Sequence, residues 1–276
     1  CLEETTGQLI WSRDVLLENN LSNLTWGKSC SPLLAQGLVV VTGGEQSEKS
    51  LLAYEAATGK PVWQTGRDRA SYCSPLLASV SGQEQILIVN AHSVTGHNPH
   101  NGEILWEYAW PAEFAKATQP LVIDTNRVFI AAGYGVGCVM LKIDRSAAGG
   151  WSAVALWKNR NLKPKFTNLV RRGHHVYGLD EGILTCVNLD QGNREWKEGR
   201  YGHGQILLLE DMLLIQAESG DVVLVEISPE KPLERTRFPA LKGKTWNNPV
   251  LLRDLLLVRN DQEAACYRLP LNTSPP

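Results

Sequence analysis

The feature that most constrains the fold of this chain is a repeat that runs through nearly all of its 276 residues. Four segments place a Gly four residues before a Trp: TTGQLIW (5–11), ATGKPVW (57–63), HNGEILW (100–106) and DQGNREW (190–196). The segment SAVALW (152–157) keeps the Trp without the Gly, and LERTRF (233–238) has Phe238 in the Trp position. A repeat of this kind is decisive because each unit must fold in the same way.

A second recurring segment opens each unit and sets the length of the repeat. These openings are SPLL (31–34), SPLL (74–77), QPLV (119–122), TNLV (167–170), GQIL (204–207) and NPVL (248–251). They start 43, 45, 48, 37 and 44 residues apart, which is the length of one four-stranded propeller blade. The sequence therefore predicts an all-β fold, a β-propeller of four-stranded antiparallel blades, with about six blades in this chain.

Each unit divides into four short strands, here called A to D in chain order, that are bounded by turn residues. In the second unit we predict strands at 74–78, 85–90, 94–97 and 103–108, and in the fourth at 167–171, 175–179, 183–189 and 193–197. The repeated Gly fits the C–D turn, since a tight hairpin needs a residue with positive φ. A large aromatic ring on strand D can cover the seam to the next blade. The predicted docking residues are Trp11, Trp63, Trp106, Trp157, Trp196 and Phe238.

Composition and charge exclude several classes of protein. The chain has 27 basic and 29 acidic residues and no basic stripe, so nucleic acid is not a predicted partner. Its longest apolar runs, such as 206–209, are far too short to span a bilayer. Six cysteines without a CxxC pair argue against a zinc ribbon or a thioredoxin-like site. Cys30 and Cys73 precede SPLL in consecutive units, and we predict that they are packing residues rather than a disulfide.

Several segments resemble a known family. EAATGKPVW (55–63) resembles the AxDxxTGxxxW tryptophan-docking repeat of pyrroloquinoline quinone (PQQ) propellers. GYGVGCVMLKI (133–143), WKNRNLKPKF (157–166) and LTCVNLDQGNREW (184–196) are similar to bacterial PQQ-binding-like β-propeller repeat proteins, which are quinoprotein-like relatives of BamB. The resemblance covers nearly the whole chain. It implies a bacterial protein in the periplasm or another extracytoplasmic location, and rings of seven or eight blades.

The D–A and B–C loops of such blades lie at one end of each sheet, where propellers commonly bind ligands around the central channel. Aromatic, amide and cationic side chains on these loops are candidates for binding a protein partner or a small, flat or anionic extracytoplasmic ligand. The candidates are Lys28, Tyr72, His92, Tyr134, Lys165, His203, Trp246 and Asn247. The alternative is that these residues only tether neighbouring blades.

The histidines of GHNPHNG do not predict a metal site. His97 and His100 fall near a C–D turn, at the opposite end of the blade, without a nearby carboxylate or Cys. We therefore predict that both belong to a solvated turn. No metal ligand and no catalytic residue is predicted anywhere in the chain.

The same resemblance raises PQQ as a cofactor, but its expected partners are missing from the sequence. Quinoprotein alcohol dehydrogenases carry adjacent cysteines that form a disulfide ring over the quinone, and this chain has no such pair. A Glu/Asn/Asp set for the activating calcium is also not recognisable. The sequence therefore predicts a non-enzymatic scaffold that presents a rigid face to a partner. Two alternatives remain, a PQQ- and calcium-dependent oxidoreductase and the substrate-sensing propeller of a larger protein.

The ends of the sequence give a further set of expectations. Cys1 aligns with Cys186, ten residues before a Trp, so we expect it to belong to a blade rather than to carry a lipid. No signal peptide is visible. The last unit supplies strands A to C, and residues 8–13 are a spare strand D. Either the ring closes as six blades through that strand, or the chain is part of a longer polypeptide. We expect one propeller domain at 1–270 and a disordered tail at 271–276.

Overall fold

The computed structural model describes residues 1–44 and 49–270, and they form six antiparallel sheets. A four-residue helix, α1 (Val15–Glu18), precedes the first sheet. The strands of the first three sheets are β1 (Leu33–Ala35), β2 (Leu38–Thr42), β3 (Leu51–Glu55) and β4 (Pro61–Thr65); β5 (Leu76–Val80), β6 (Gln83–Val89), β7 (Ser93–His97) and β8 (Ile104–Ala109); β9 (Leu121–Val122), β10 (Arg127–Ala132), β11 (Gly137–Arg145) and β12 (Trp151–Asn159).

The remaining sheets have the same order. Their strands are β13 (Val170–Arg172), β14 (His175–Asp180), β15 (Ile183–Asn188) and β16 (Arg194–Arg200); β17 (Gln205–Leu209), β18 (Met212–Gln216), β19 (Asp221–Ile227) and β20 (Pro232–Pro239); β21 (Val250–Leu252), β22 (Leu255–Arg259) and β23 (Ala264–Arg268). Each strand pairs with its neighbours in the chain. The all-β prediction and the four-stranded unit are confirmed, and the sixth sheet has strands A to C alone.

The chain divides into two compact units, Cys1–Lys158 and Asn159–Pro276. In the first unit, buried aliphatic side chains of neighbouring sheets pack together, among them Val40, Ile86 and Val128. In the second unit, Leu184, Leu213 and Val225 belong to a corresponding core. A single domain at 1–270 stays a prediction, and the predicted tail at 271–276 lies outside the described residues.

The A strands begin later than the sequence pattern predicts. The other three strands of the second repeat lie within two residues of their predicted positions. We predicted 74–78, and the strand is Leu76–Val80. Pro75 explains the difference, because proline has no N–H to donate to a ladder and is confined to strand edges and loops. Residues 8–13 also differ from the prediction. They form no strand, and the hairpin at the start of the chain holds only the isolated Leu2–Leu9 bridge.

Two C–D turns show why the repeat pairs Gly with Trp. Gly59 and Gly102 have φ of +71° and +75°, a conformation that side chains rarely adopt. A Cβ on Gly59 would lie 2.6 Å from the ring of Trp11, and a Cβ on Gly102 would lie 2.7 Å from the ring of Trp63. Glycine is therefore required for two reasons: the backbone has a positive φ, and the packed indole leaves no room for a Cβ.

The four docking residues that follow the Gly–Trp pattern occupy three kinds of environment. The Trp11 and Trp196 indoles donate to the carbonyls of Ala56 and Ser228, both at 2.9 Å. Trp106 is buried and donates instead to Gln85 Oε1 at 2.7 Å, within its own sheet. Trp63 is half-buried, and its indole N–H finds no acceptor among the described residues.

The two remaining docking positions, at which the repeat departs from the Gly–Trp pattern, make aromatic contacts. The Trp157 ring lies 5.7 Å from that of Phe129, between ring centroids. Phe238 packs edge-on against Tyr267 at 5.2 Å. Trp157 therefore packs on a ring of its own sheet, and Phe238 packs on a ring of the following sheet.

His97 corrects the prediction of a solvated turn. It is the last residue of β7 and is fully buried, while His100 is exposed on the turn that follows. The His97 ring bonds Thr95 Oγ1 at 2.7 Å and the Gly102 carbonyl at 3.0 Å. Burial lowers the pKa of His97 to about 4, and the bond to the Gly102 carbonyl opposes this only in part.

We expect His97 to make the protein sensitive to acid. Its folded pKa lies below the ordinary value of 6.5, so the unfolded chain binds the proton first as the pH falls. The stabilisation is therefore complete above about pH 6.5 and is lost towards pH 4, by up to about 3 kcal/mol. Urea unfolding at pH 7, 5.5 and 4 measures it. His97→Gln should flatten this dependence, whereas His100→Gln should leave it unchanged; equal slopes for all three proteins would contradict the assignment.

Candidate functional site

The D–A and B–C loops lie at the same end of each sheet, because successive antiparallel strands alternate in direction. All eight candidate binding residues fall on these loops. Tyr72, Lys165, His203, Trp246 and Asn247 lie between sheets, and Lys28 lies in the corresponding segment that leads into β1 of the first sheet. His92 and Tyr134 lie between the second and third strands of their sheets. The structure places seven of them in identifiable contacts, described below for each unit, and Asn247 is half-buried next to Trp246.

Lys28 of the first unit is held inward rather than presented to solvent. Its ammonium donates to the carbonyls of Thr42 and Gly43 and to Thr42 Oγ1, the last at 2.8 Å. Burial lowers the pKa of Lys28, while the nearby Cys30 raises it. These bonds hold the segment before β1 against the end of β2, so the Lys28 side chain binds to the protein itself.

His92 forms a carboxylate–imidazole pair with Asp68. Asp68 accepts hydrogen bonds from the His92 ring at 2.8 Å, from the His92 backbone N–H at 2.7 Å and from Ser93 Oγ at 2.8 Å. Burial raises the pKa of Asp68, but these hydrogen bonds outweigh burial and the net pKa is below its ordinary value. The pair ties a B–C loop to the preceding D–A loop and leaves the other ring edge of His92 exposed.

Lys116 is a completely buried lysine that the sequence did not reveal. Its ammonium donates to three carbonyl oxygens, of Asn90, Ala91 and Trp110. Burial lowers the pKa of Lys116 to about 8, and the charge of Asp68 opposes that shift. One side chain thus joins the loop that follows β8 to the loop that follows β6.

Two exposed aromatic pairs stand on the loops of the first unit. The ring of Trp26 lies 5.4 Å from that of Tyr72, whose hydroxyl oxygen accepts from the Trp26 backbone N–H at 3.2 Å. Phe114 stacks on Tyr134 with centroids 5.4 Å apart and planes 16° from parallel. In each pair one ring supports another that faces solvent.

In the second unit, a buried carboxylate organises two lysines. Asp180 is fully buried and accepts from the ammonium of Lys163 at 2.7 Å, from the Lys163 backbone N–H at 2.9 Å and from Lys197. Beside it, Lys165 lies 3.7 Å from Glu181. The candidate Lys165 therefore belongs to a paired group of charges.

The principal cluster of the second unit is built around Trp246. Glu218 accepts from the Trp246 indole N–H at 2.8 Å and from the His203 backbone N–H at 3.0 Å. Phe166 contacts both rings, with centroids 5.1 Å from Trp246 and 5.7 Å from His203. Lys244 lies over the indole, 4.8 Å from its centroid. The structure thus brings two predicted residues, Trp246 and His203, into one aromatic and polar cluster.

Electrostatics in the Trp246 cluster follow from these contacts. Burial lowers the pKa of His203, and the positive charge of Lys165 lowers it further. Burial raises the pKa of Glu218, but the bonds from His203 and Trp246 bring its net pKa below the ordinary value. Glu218 is therefore a carboxylate and His203 is neutral near pH 7, which leaves the rings of the cluster as its main contact surface.

The exposed aromatic side chains of both compact units occupy the same kind of loop. Of the Phe, Trp and Tyr side chains in the described ranges, the exposed ones are Trp26, Phe114 and Trp246, which are 45–62% exposed. All three lie on D–A loops, and each packs on a second ring. Sequence reasoning missed Phe114, Phe166, Asp68, Lys116 and Glu218. Only their position on the D–A and B–C loops could have revealed them, since no motif marks them.

The loop residues do not fit PQQ with calcium. A calcium ion needs several convergent oxygen ligands, but no three His, Cys, Asp or Glu side chains in the described chain converge as metal ligands would. Asp180, Asp68 and Glu218 are each already bound to a cation, an imidazole or an N–H donor. None of the six cysteines forms a disulfide in the described chain, so the disulfide ring of the quinoprotein dehydrogenases has no counterpart there.

Comparison with known families decides the classification. The family model described as outer membrane protein assembly factor BamB matches residues 1–198. This chain belongs to the BamB family. Among curated protein sequences, none matches it.

Solved structures show the fold of this BamB-family chain. BamB from Moraxella catarrhalis has 15% identity and a TM-score of 0.51, over 86% of this chain and 81% of that one. The Cps50 (Swd1) beta-propeller domain of Myceliophteria thermophila has 11% identity and a TM-score of 0.59, with 87% and 82% covered. A quinohemoprotein alcohol dehydrogenase from Comamonas testosteroni has 10% identity and a TM-score of 0.55; 84% of this chain and 51% of that one are covered. The fold is a β-propeller.

Proposed function

We propose that this protein is a non-enzymatic β-propeller scaffold that binds a protein partner through the aromatic side chains of its D–A loops. The observation that carries the proposal is the location of Trp26, Phe114 and Trp246, the exposed aromatic rings of the described chain, on these loops alone. Exposed Trp and other aromatic residues supply much of the binding energy of protein interfaces. The charged groups around them are paired within the protein, so the rings are the principal groups left for a partner.

The support beneath the rings favours a preformed binding surface. Glu218 fixes the indole of Trp246 by a hydrogen bond, and Tyr72 fixes the backbone of Trp26. Lys116 binds the loop that carries Phe114. A side chain that is ordered before binding loses less conformational entropy when the partner arrives. This arrangement suits a scaffold better than a site that must reorganise around a substrate.

The rigidity of the scaffold is part of the proposal. We assign the docking role to Trp11, Trp63, Trp106, Trp157, Trp196 and Phe238. The bonds from Trp11 to Ala56 and from Trp196 to Ser228 support this role. Large aromatic residues at such seams contribute buried apolar area, and a Trp whose N–H finds an acceptor adds one directional hydrogen bond.

We place the protein outside the cytoplasm of a bacterium, in the periplasm or at the outer membrane. The support is membership of a family described as an outer membrane assembly factor. The described helix is four residues long, far too short for a membrane span, and the described chain contains no other candidate.

The proposal can be tested with random peptides displayed on phage. Peptides selected on the wild-type protein should bind the variants Trp246→Ala and Trp26→Ala at least about tenfold more weakly, because a central aromatic residue is worth about 2 kcal/mol or more in such contacts and about 1.4 kcal/mol is tenfold. Affinities are measured by fluorescence titration. Leu233→Ala, an exposed apolar residue on β20, is the matched control and should not matter. Selected peptides that bind all variants equally would contradict the proposal.

The oxidoreductase alternative has its own test. Purified protein is titrated with PQQ and calcium by Trp fluorescence, and dye reduction is followed with short alcohols and sugars. The scaffold proposal expects no dye reduction, because the loop carboxylates are already paired. Saturable binding together with substrate-dependent reduction would overturn it. Saturable binding without reduction would favour the ligand-sensing alternative, in which the same face is part of a larger protein.

A further inference from the structure

The two aromatic pairs of the first unit lie on loops that are bonded to each other. The rings of Trp26 and Tyr72 have centroids 5.4 Å apart, and those of Phe114 and Tyr134 have the same separation. The Tyr72 backbone N–H donates to the Lys116 carbonyl at 2.9 Å, and Phe114 is two residues before Lys116. The four rings therefore follow one another along the loops of the first three sheets. We call them the aromatic row.

The row presents flat, supported rings rather than an enclosed cavity. Trp26 is 62% exposed and Phe114 is 54% exposed, whereas the two tyrosines that they contact are half-buried. Each exposed ring thus rests on a tyrosine that is itself held by the protein. Such a surface suits a ligand that lays flat apolar groups on successive rings.

The first pair of the row also carries unused hydrogen-bond donors. The Trp26 indole N–H has no acceptor among residues 1–44 and 49–270. Tyr72 Oη accepts from the Trp26 backbone N–H at 3.2 Å, and its own O–H donates to nothing in the same ranges. The carboxylate on the loop of Tyr72, that of Asp68, already accepts from His92 and Ser93. This end of the row therefore requires a ligand that supplies acceptors.

Rings combined with donors select a peptide backbone whose carbonyl groups are unpaired. In helices and sheets the carbonyls already accept backbone hydrogen bonds, so a helical or strand-like partner would leave both donors unused. A polyproline II segment has no internal hydrogen bonds, and its carbonyls remain available. Proline has no N–H, so a proline-rich segment presents acceptors together with compact apolar rings. Segments of this kind bind aromatic-lined surfaces in general.

We propose that the aromatic row binds a proline-rich segment of the partner protein in the polyproline II conformation. Proline rings of the segment pack on Trp26 and Phe114, and its carbonyls accept from the Trp26 indole N–H and the Tyr72 O–H. The segment is extended before it binds and the rings are supported, so little conformational entropy is lost. This binding mode rests on the proposed function, to which it adds the chemical class of the partner segment.

A titration with synthetic peptides tests this binding mode. The probe is deca-L-proline, added up to about 1 mM, a concentration that populates weak complexes. Protein labelled with ¹⁵N in its nine tryptophans reports their indole N–H groups by NMR, and the signal that Trp26→Phe lacks is that of Trp26. We expect saturable binding with a shift of the Trp26 signal. Deca-D-proline has the same composition and the opposite hand, so it is the matched control and should not bind.

Two substitutions separate the contribution of the donor from that of the rings. Trp26→Phe keeps an aromatic ring but removes the indole N–H, and it should weaken binding of deca-L-proline at least about threefold. Phe114→Ala removes an exposed ring and should weaken binding at least about fivefold. Val62→Ala, a comparably exposed apolar residue on β4 of the same unit, is the control and should bind like the wild type. Because all three side chains are exposed, the unfolding midpoints should remain close to that of the wild type.

The outcomes distinguish failure of this binding mode from failure of the proposed function. Absence of saturable binding, equal binding of deca-D-proline, or full affinity in both Trp26→Phe and Phe114→Ala would overturn the proline-rich assignment. Trp246→Ala should leave the binding of deca-L-proline unchanged, because Trp246 belongs to the second unit. Phage-selected peptides that need Trp26 but lack a proline-rich segment would overturn this assignment and leave the scaffold proposal standing. Selected peptides that need none of the exposed rings would contradict both.

Discussion

Replacing Lys116 with Met is expected to lower the free energy of unfolding by about 3–5 kcal/mol, because three backbone carbonyls then lose a buried hydrogen-bond donor. The lysine is fully buried and its ammonium is bound by the carbonyls of Asn90, Ala91 and Trp110. Methionine fills much of the same volume but donates nothing, so three carbonyls lose a donor. Each buried, unsatisfied polar group costs about 1–3 kcal/mol. Urea unfolding followed by Trp fluorescence gives the change directly.

Lys158 is the matched control for this experiment. Its ammonium also lies against Trp110, 4.7 Å from the ring centroid, but the side chain is exposed. Lys158→Met should remove only a cation–π contact, worth about 0.5–1 kcal/mol at an exposed site. Similar losses for Lys116→Met and Lys158→Met would show that the three carbonyls are not the source of the effect.

Trp106→Ala is the second substitution with a large expected effect, again a loss of about 3–5 kcal/mol. The ring belongs to the core of the first unit, and its N–H donates to the buried Gln85 side chain. Alanine leaves a cavity beside Gly96, where even a Cβ would now lie 2.3 Å from the indole nitrogen. It also removes the donor for Gln85 Oε1. The two losses act together on the second sheet.

The comparison with Trp246→Ala separates the roles of the two tryptophans. Trp246 is nearly half exposed on a D–A loop, so its removal should cost about 1 kcal/mol of stability or less. Trp106→Ala is read by thermal or urea unfolding, and Trp246→Ala by both unfolding and peptide binding. A Trp106→Ala protein as stable as the wild type would refute the assignment of Trp106 to the core.

The repeat made the six-sheet architecture predictable, because Gly, Trp and the strand openings recur at nearly constant spacing. It could not distinguish the environments of the tryptophans. Trp63 and Trp106 occupy the same position in the motif, yet Trp106 turns into its own sheet towards Gln85. The presence of Gly96 opposite Trp106 makes room for that orientation, and it is a contact between strands that local spacing does not encode.

For the candidate loops, the sequence predicted which residues lie on them but not which side chains contact one another. Strand order alone places Trp246 and His203 at one end of the second unit. Their connection through Phe166 and Glu218 depends on how three separate loops meet. His97 shows the opposite error. The pattern put it next to a turn, but a bond to the carbonyl of Gly102 keeps its ring inside.

The lysine that binds three carbonyls has a consequence for recognition. Phe114 is two residues before Lys116, so the loop that carries the exposed ring is fixed to the neighbouring loop before any partner arrives. A partner that contacts Phe114 meets a surface with little freedom left to lose. Its association should then approach rigid-body kinetics, with affinity differences among partners appearing in the dissociation rate.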